Sequence, residues 1–364
     1  SNLNGLAQLA GALGSPIPDV GITTYRPPFA PVTLGLLAGD ERHERMAPSR
    51  LTPLHDWHVG RGAKMVSVGR WWRPECYPRG GETPAQAAYR EVDAVRSRVG
   101  VVDVSTLGKI EIQGKDAAAF LERVYVNRWA KLAVGKARYG LMLRDDGMVL
   151  DDGTTTRIGE HHYYMTTTTG EAEHVMAHLE EHARVSWPEL DVDLVSVTDQ
   201  WGAIALAGPK SRDVLAAATD ADVSDARLPF MGYLETDVAG VPTRVFRITF
   251  SGELAYELHA PAGYTEALWA GLLRVGEAEG ITPYGTEAMA VMRIEKGHVV
   301  AGELDGRTTA GDLGFGGLQR PDGAFIGHRA QSRPALAGSD RLQLVGVRSL
   351  RETDRIPRGS HLIE

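Results

Sequence analysis

The chain has 364 residues, 43% of them hydrophobic and 24% charged, with a formal net charge of −8 at pH 7. That length exceeds one ordinary core, and the balance is that of a globular protein. No run of Lys or Arg stands out and no apolar run spans a bilayer, so nucleic acid and membrane are excluded as expected partners; the single cysteine, Cys76, rules out an internal disulfide framework and fits a cytoplasmic protein.

Residues 1–50 are rich in Gly and Pro and read as an extended arm or linker that cannot build a core alone. His55, Asp56 and His58 lack the helical spacing of a metal site, so packing or surface roles are expected and no metal is. Trp71-Trp72-Arg73-Pro74 reads as a packed interface. A helix follows, with Thr83 as N-cap, Pro84 at its first position and Gly100 at its end. Its expected buried face is Ala85, Ala88, Tyr89, Val92 and Val95. Val101 to Val104 reads as a short strand and Lys109 to Ile112 as a half-buried one. Gly114 then turns the chain into a helix with Ala117, Phe120, Leu121 and Val124 inward.

Gly135 to Gly153, GKARYGLMLRDDGMVLDDG, reads as two strands joined at Asp145-Asp146-Gly147, because Gly supplies positive φ without steric cost. Its second strand ends in Asp151-Asp152. A buried carboxylate is costly unless paired, hydrated or used. The pair therefore reads either as the cap of a second turn or as a base or ion partner in a cleft. Tyr163 to Thr169 is a β-branched strand whose Thr hydroxyls suit a solvated edge or a polar cleft. A helix with Ala172, Val175, Met176 and Leu179 inward follows.

Ala203 to Leu206, the turn Gly208-Pro209 and a helix carrying Val214 and Leu215 repeat the earlier strand-turn-helix module. In both, a Leu lies seven residues after the turn Gly (Leu121 and Leu215), which suggests two related α/β lobes. Thr243 to Phe250 and Leu254 to Leu258 read as strands around Ser251-Gly252-Glu253, and Tyr264 to Val275 and Thr286 to Lys296 as helices. Asp340 onward reads as the start of a new β segment. Residue chemistry by itself gives a multi-lobed α/β protein with candidate carboxylates Asp151, Asp152, Glu253 and Glu295.

Four segments carry a resemblance: GKARYGLMLRDDGMVLDDG, ITFSGELAYEL, YGTEAMAVMRIEKGHVVAGELDGRTTAGDLGF and FIG at residues 325–327. Together they resemble the folate-binding aminomethyltransferase family, which has the fold of the glycine-cleavage T-protein. RMAPSRLTPLHDWHVGRGA, YMTTTTG, WPELDV and SVTDQW look like the C-terminal half of the alpha subunits of heterotetrameric sarcosine oxidases. The resemblance implies an α+β cloverleaf of ferredoxin-like α/β lobes around a central folate channel, with the start of a C-terminal β-barrel. The implied domains are 1–50 as arm, 51–335 as folate-binding lobes and 336–364 as the beginning of a truncated barrel. It also implies a fragment, with a flavin- and NAD-binding half before residue 1.

Carried over by position, Asp151 matches the catalytic aspartate of the family's VLDD motif. Tyr139 and Met142 of GKxxYxxML, together with Thr167 and Thr168, would line the folate. Glu253 would hold the pterin, with Tyr256 nearby. Where T-proteins have an Arg-Asp pair, this chain has Met289 and Ala290, which separates it from the T-protein's own reaction. The implied function is capture by tetrahydrofolate of the one-carbon unit, a methylene-iminium or formaldehyde, released by oxidative demethylation of sarcosine, giving 5,10-methylenetetrahydrofolate. FAD, FMN and NAD are expected only in the complete heterotetramer, with beta, gamma and delta subunits as partners. A stand-alone folate-dependent aminomethyltransferase and a non-catalytic docking scaffold remain as alternatives.

Overall fold

The computed structural model describes residues 2–16, 49–338, 340–351, 354–357 and 360. The chain forms two compact units, Ser1–Ser49 and Arg50–Glu364. In the first, the expected extended arm contains a helix, α1 (Asn2–Leu13). Its Leu- and Ala-rich sequence holds no proline, and the proline-rich part, residues 17–48, lies outside the described residues.

The second unit opens with β1 (Arg50–Leu51), α2 (His55–Gly60), β2 (Lys64–Val68) and β3 (Trp71–Cys76), the strands forming a small sheet in the order β1-β3-β2. Trp71 and Arg73 are buried there. Helix α3 (Pro84–Ser97) starts with a complete capping box between Thr83 and Gln86. Its buried face is Ala87, Ala88, Glu91 and Val95: Ala88 and Val95 are as expected and Val92 packs against the core, whereas Ala85 and Tyr89 are exposed. Glu91 explains the rotation. Its carboxylate accepts from the backbone N–H groups of Tyr77 (2.7 Å) and Gly285 (2.8 Å), so a charged side chain occupies the core-facing position. Gly100 does not end this helix but begins β4 (Gly100–Asp103).

Two runs of one topology follow. The first is β5 (Gly108–Gln113), α4 (Ala117–Val124), β6 (Lys136–Leu143), β7 (Val149–Gly159), β8 (His162–Thr167), α5 (Ala172–Glu181) and β9 (Asp193–Ser196). Its sheet order is β6-β7-β8-β5-β9. The second is β10 (Trp201–Ala207), α6 (Ser211–Ala218), β11 (Tyr233–Val238), β12 (Val241–Phe246), β13 (Ala255–Pro261), α7 (Thr265–Val275) and β14 (Thr282–Pro283). Its sheet order is β11-β12-β13-β10-β4-β14. In each run a strand and helix lead into a three-strand meander whose last strand pairs with the first strand of the run. The runs differ in one respect: β4 is inserted between β10 and β14.

The repeated glycine has a geometric cause. Gly114 and Gly208 hold φ of 126° and 127°. A Cβ on Gly114 would lie 2.2 Å from the Asp191 carbonyl oxygen, and one on Gly208 2.5 Å from that of Arg98. Each glycine lets the strand-to-helix turn pass against a second backbone segment.

Each sheet buries one face under its own helices. Ile110, Ile112, Phe120, Leu121, Val175 and Leu179 share one core; Leu206, Val214, Leu215, Leu258, Leu268 and Trp269 share the other. Each such side chain contributes about 1.5–3 kcal/mol of burial. The opposite faces of the two sheets meet each other, with Tyr164 of β8 stacked on Phe246 of β12 at 5.7 Å and 12°. After α8 (Thr286–Lys296), closed by Gly297 at φ 86°, residues 297–327 cover the tip of the β6-β7 hairpin. Val299, Ala310, Leu313 and Phe325 pack there on Leu141, Leu143 and Val149.

Other expectations give way. Asp151 and Asp152 lie within β7, not in a second turn, because β7 continues pairing with β6 through Gly153 and beyond. Lys109 is fully buried, its Nζ donating to the carbonyls of Ser105 (2.7 Å), Leu107 (3.0 Å) and Thr198 (3.3 Å). Thr166 and Thr167 are buried, since β8 is interior to its sheet and not a solvated edge. The strand at Thr243 ends at Phe246. No strand forms after Asp340 among the described residues, and none of the sheets closes into a barrel. A strand needs a partner, and Leu342 and Leu350 stand exposed without one. No helix among the described residues is long and apolar enough to cross a membrane.

Gly114→Ala and Gly208→Ala should each destabilise the fold by about 1–3 kcal/mol, since both strain the backbone. Gly263→Ala, with open space around its Cβ, should stay within about 0.5 kcal/mol of the parent. Urea denaturation of the three variants measures this, and equal stabilities would refute the close-approach argument.

Candidate functional site

The site lies where the inner faces of the two sheets meet. On β7, successive side chains alternate in direction, so Asp152, Thr154 and Thr156 share one face. Tyr139 stands opposite Thr154 in the register and donates its hydroxyl to Asp152 Oδ2 at 2.8 Å. Phe315, from the covering segment, meets the Tyr139 ring edge-on at 5.8 Å. Further along, Thr154 and Thr156 join Tyr164 and Thr166 as one wall of a hollow. Phe246, Ile248, Glu257 and His259 form the other wall. The space between them is about 160 Å³ and too narrow for a water-sized sphere.

Asp151 is wholly buried and stands opposite Met142 in the register. A bulge at Met142/Leu143 lies beside it. Its Oδ2 accepts from the Thr168 backbone N–H at 3.1 Å, while its Oδ1 has no hydrogen-bond partner. Burial, aided by the charge of Asp152, pushes its pKa up to about 7. Burial also raises Asp152, against the hydrogen bond from Tyr139. This places a carboxyl group that changes charge near neutrality at the hairpin, with a free acceptor oxygen.

The structure thus gathers Asp151, Met142 and Thr168, and sets Tyr139 on the neighbouring acid. Thr167 is buried opposite Gly108. Glu253 goes elsewhere. Arg96 donates to its Oε1 at 2.8 Å and to Glu295 at 2.6 Å, an ion cluster at the partly exposed ends of α3 and α8. It does not line the hollow. The expectation that Asp151 and Glu253 share one hollow is therefore corrected: the Arg96 guanidinium holds Glu253. Tyr256 points into the helix-backed core, where Arg212 donates to its hydroxyl at 2.8 Å. Met289 packs beside Ala288 and Met292.

Glu257 takes the place expected for Glu253. It lies four residues on, on a straight strand, and its side chain is 14% exposed. The available signal was strand phase: in Leu254-Ala255-Tyr256-Glu257-Leu258, the apolar Leu258 goes to the core and Glu257 must face the other way. His259 was missed as well. It is fully buried, its Nδ1 2.9 Å from the Tyr164 hydroxyl, and its Nε2 is 3.5 Å from Glu257 Oε2 with no hydrogen-bond partner. Burial lowers its pKa. Lys109 stands opposite Thr166, and burial pushes its pKa down to about 8. His58, expected in a packing or surface role, is buried, with Asp103 at 3.1 Å and the Tyr77 hydroxyl at 2.8 Å. No group of three or more metal-binding side chains is assembled among the described residues.

Comparison with known proteins agrees with this architecture. The family model described as GCVT N-terminal domain matches residues 54–320, and that described as Sarcosine oxidase A3 domain matches residues 1–41. A sarcosine oxidase subunit alpha from Rhizobium meliloti (strain 1021) is 49% identical over the whole of this chain. The chain spans 37% of that relative's length. An aminomethyltransferase from Anoxybacillus flavithermus (strain DSM 21510 / WK1) is 33% identical, over 81% of this chain and 78% of its own length. The crystal structure of glycine cleavage system aminomethyltransferase T from Bartonella henselae superposes with a TM-score of 0.69 at 25% identity, covering 79% of this chain and 75% of that one. The chain belongs to the GCVT N-terminal domain family, built on the mixed α+β fold of the aminomethyltransferases.

Proposed function

We propose that this chain binds tetrahydrofolate between its two sheets and is the one-carbon acceptor part of a sarcosine oxidase-type alpha subunit. The observation that carries the reading is Glu257 in a hollow otherwise walled by hydroxyls, aromatic rings, Ile248 and His259, with Asp152 on the same face of β7 toward the hairpin. A pterin edge presents adjacent N–H donors. A carboxylate such as Glu257 can accept two of them side by side, one on each oxygen, a geometry that a single hydroxyl oxygen does not offer. Tyr164 and Phe246 offer the apolar ring faces that a bicyclic heterocycle needs. A ring enters only when the walls part, since the hollow is narrow.

The reaction needs a proton acceptor. A nitrogen of tetrahydrofolate attacks the carbon of a methylene-iminium, forming a C–N bond as the C=N π pair passes to the amine nitrogen; the attacking nitrogen then releases its proton, and the amine leaves, protonated, as the second folate nitrogen closes on the carbon. Asp151 is the base in this reading: its carboxylate takes the proton, and at a pKa of about 7 it exists in both forms near neutrality. Before transfer, its negative charge stabilises the adjacent cation. Asp152, oriented by Tyr139, completes the acidic end. Oxidation of the amine, its flavins and NAD, and the beta, gamma and delta subunits belong to the remainder of the assembly in this proposal. Loss of the Arg-Asp pair, here Met289-Ala290, argues against glycine-cleavage chemistry.

Calorimetric titration with tetrahydrofolate tests the binding. Glu257→Gln should weaken it by roughly 10-fold or more, from loss of a charged acceptor, whereas Glu253→Gln should leave it nearly unchanged. The reverse order would return the pterin to Glu253. Asp151→Asn should leave binding largely intact and slow methylene transfer in the full assembly by ~10²–10⁴-fold. A larger loss in Asp152→Asn would move the base to that residue.

The pKa of Asp151 also fixes a stability trend. Because its folded value is raised, the native state binds the proton more tightly than the unfolded chain. Its contribution is fully present below about pH 4 and is lost as pH rises through about 7. Asp151→Asn removes this dependence. Relative to the parent it should gain up to ~4 kcal/mol between pH 4 and pH 8. Urea denaturation at the two pH values measures the difference, and parallel pH profiles would contradict a raised pKa.

A further inference from the structure

Of the groups lining the hollow, His259 is the one that the folate reading leaves unused. It follows Glu257 by two residues on β13, so both side chains leave the strand on the same face. Its ring is clamped: Tyr164 meets it edge-on at 5.6 Å and Phe246 at 4.9 Å. Two neighbours fix its proton. The Tyr164 hydroxyl, 2.9 Å from Nδ1, donates to that nitrogen. The Glu257 carboxylate, 3.5 Å from Nε2, favours a hydrogen there. The neutral tautomer with N–H at Nε2 satisfies both. That N–H is buried, and the Glu257 carboxylate, too far and poorly aligned for a full hydrogen bond, is its nearest acceptor. A donor in this state costs free energy until something accepts from it. Other charged groups near this ring are Lys109 on β5 and Arg244 on β12. Both keep other contacts: Lys109 on three carbonyls, Arg244 on Glu111 and Glu235.

We propose that His259 is a specificity-determining residue whose Nε2–H donates to the ring carbonyl of a lactam-type heterocycle while Glu257 accepts from that ring's N–H groups. This rests on the folate reading and sharpens it. Together the two side chains present a donor beside an acceptor, the complement of a carbonyl beside an N–H. A 4-oxopteridine matches that pattern. A 2,4-diaminopteridine places an amino donor where the carbonyl would be and carries no hydrogen on the adjacent ring nitrogen, so it mismatches both His259 and Glu257. Rejection on that ground is worth roughly 10- to 100-fold in affinity.

The test is titration of the 364-residue chain with tetrahydrofolate and with its reduced 2,4-diamino counterpart, tetrahydroaminopterin. The parent chain should prefer the oxo compound by roughly 10-fold or more. His259→Leu should cut the preference by roughly 5- to 10-fold, with Glu257 keeping the rest, and His259→Gln, which restores a donor, should recover part of it. Glu257→Gln should weaken tetrahydrofolate by roughly 10-fold. An unchanged preference in His259→Leu, with tetrahydrofolate still bound, would overturn the role of His259 and leave the folate reading standing. Binding of neither compound by the parent chain would overturn the folate reading and this inference with it. Thermal melts show whether His259→Leu folds. If it does not, Tyr164→Phe decides, since it removes only the hydroxyl that fixes the tautomer: the preference should fall several-fold, and an unaltered preference counts against the proposal.

Discussion

The meeting of two sheets across a polar seam is the constraint on which the rest of this structure depends. Sheets normally bury apolar faces against each other. Here the inner faces carry Asp152, Thr154, Thr156 and Thr166 on one side and Glu257 and His259 on the other. Such a seam is costly unless its groups find partners. Much of the cost is offset locally. The hydroxyls of Thr154 and Thr166 pair at 2.9 Å, Tyr139 satisfies Asp152, and Tyr164 satisfies one nitrogen of His259. Within the hollow, His259 Nε2 keeps only the Glu257 carboxylate at 3.5 Å. Asp151 Oδ1, on the other face of β7, is also left without a hydrogen bond.

The duplicated topology explains how such a seam comes to exist. Each run closes its own core under two helices, so neither sheet needs its second face for stability. The glycines at 114 and 208 make that closure possible in the same way, by allowing a strand to turn into its helix against a neighbouring backbone. Once each sheet is covered on one side, the other two faces are free to meet with polar residues between them. The covering segment 297–327 then shields the hairpin tip, where Leu141, Leu143 and Val149 share a face with Asp152. One strand, β7, therefore passes from an apolar cover to a polar hollow within a few residues.

Much of this was legible in the sequence. The hairpin turn at Gly147, the N-cap at Thr83, the stop at Gly297 and the repeated glycine turns all follow from local rules about φ and hydrogen bonding. Phase was harder to read. The motif SGELAYEL offers two glutamates four residues apart, and motif likeness favoured the first. The choice depends on Arg96, which is 157 positions away from Glu253 and captures it. Glu91 and Lys109 show the same limit. Both are charged, both occupy core-facing positions, and both are stabilised by backbone groups that only the tertiary fold brings near. Asp151 escaped the turn reading because pairing by β6 extends past it, a fact about the neighbour's length that no local spacing contains.

The width of the hollow is set by contacts that cross between the sheets. Arg244 of β12 reaches Glu111 of β5 at 2.9 Å, and its guanidinium lies 4.1 Å from the centre of the Trp201 ring and 4.9 Å from that of Tyr164. Both partners of the ion pair are largely buried, so it is screened less than a surface bridge. Arg244 and Trp201 also line a second, open hollow of about 440 Å³. The same arginine thus borders this second hollow and, through Tyr164, buttresses the narrow one. Because an arginine fork can exchange one planar acceptor for another with little loss, this cross-sheet bond can hold the walls together yet still yield. A sheet spacing fixed by apolar packing alone would have no such exchange available. The seam is thus held by this ion pair and its ring contacts together with the apolar cluster of Ala137, Val197, Phe246 and Ile248.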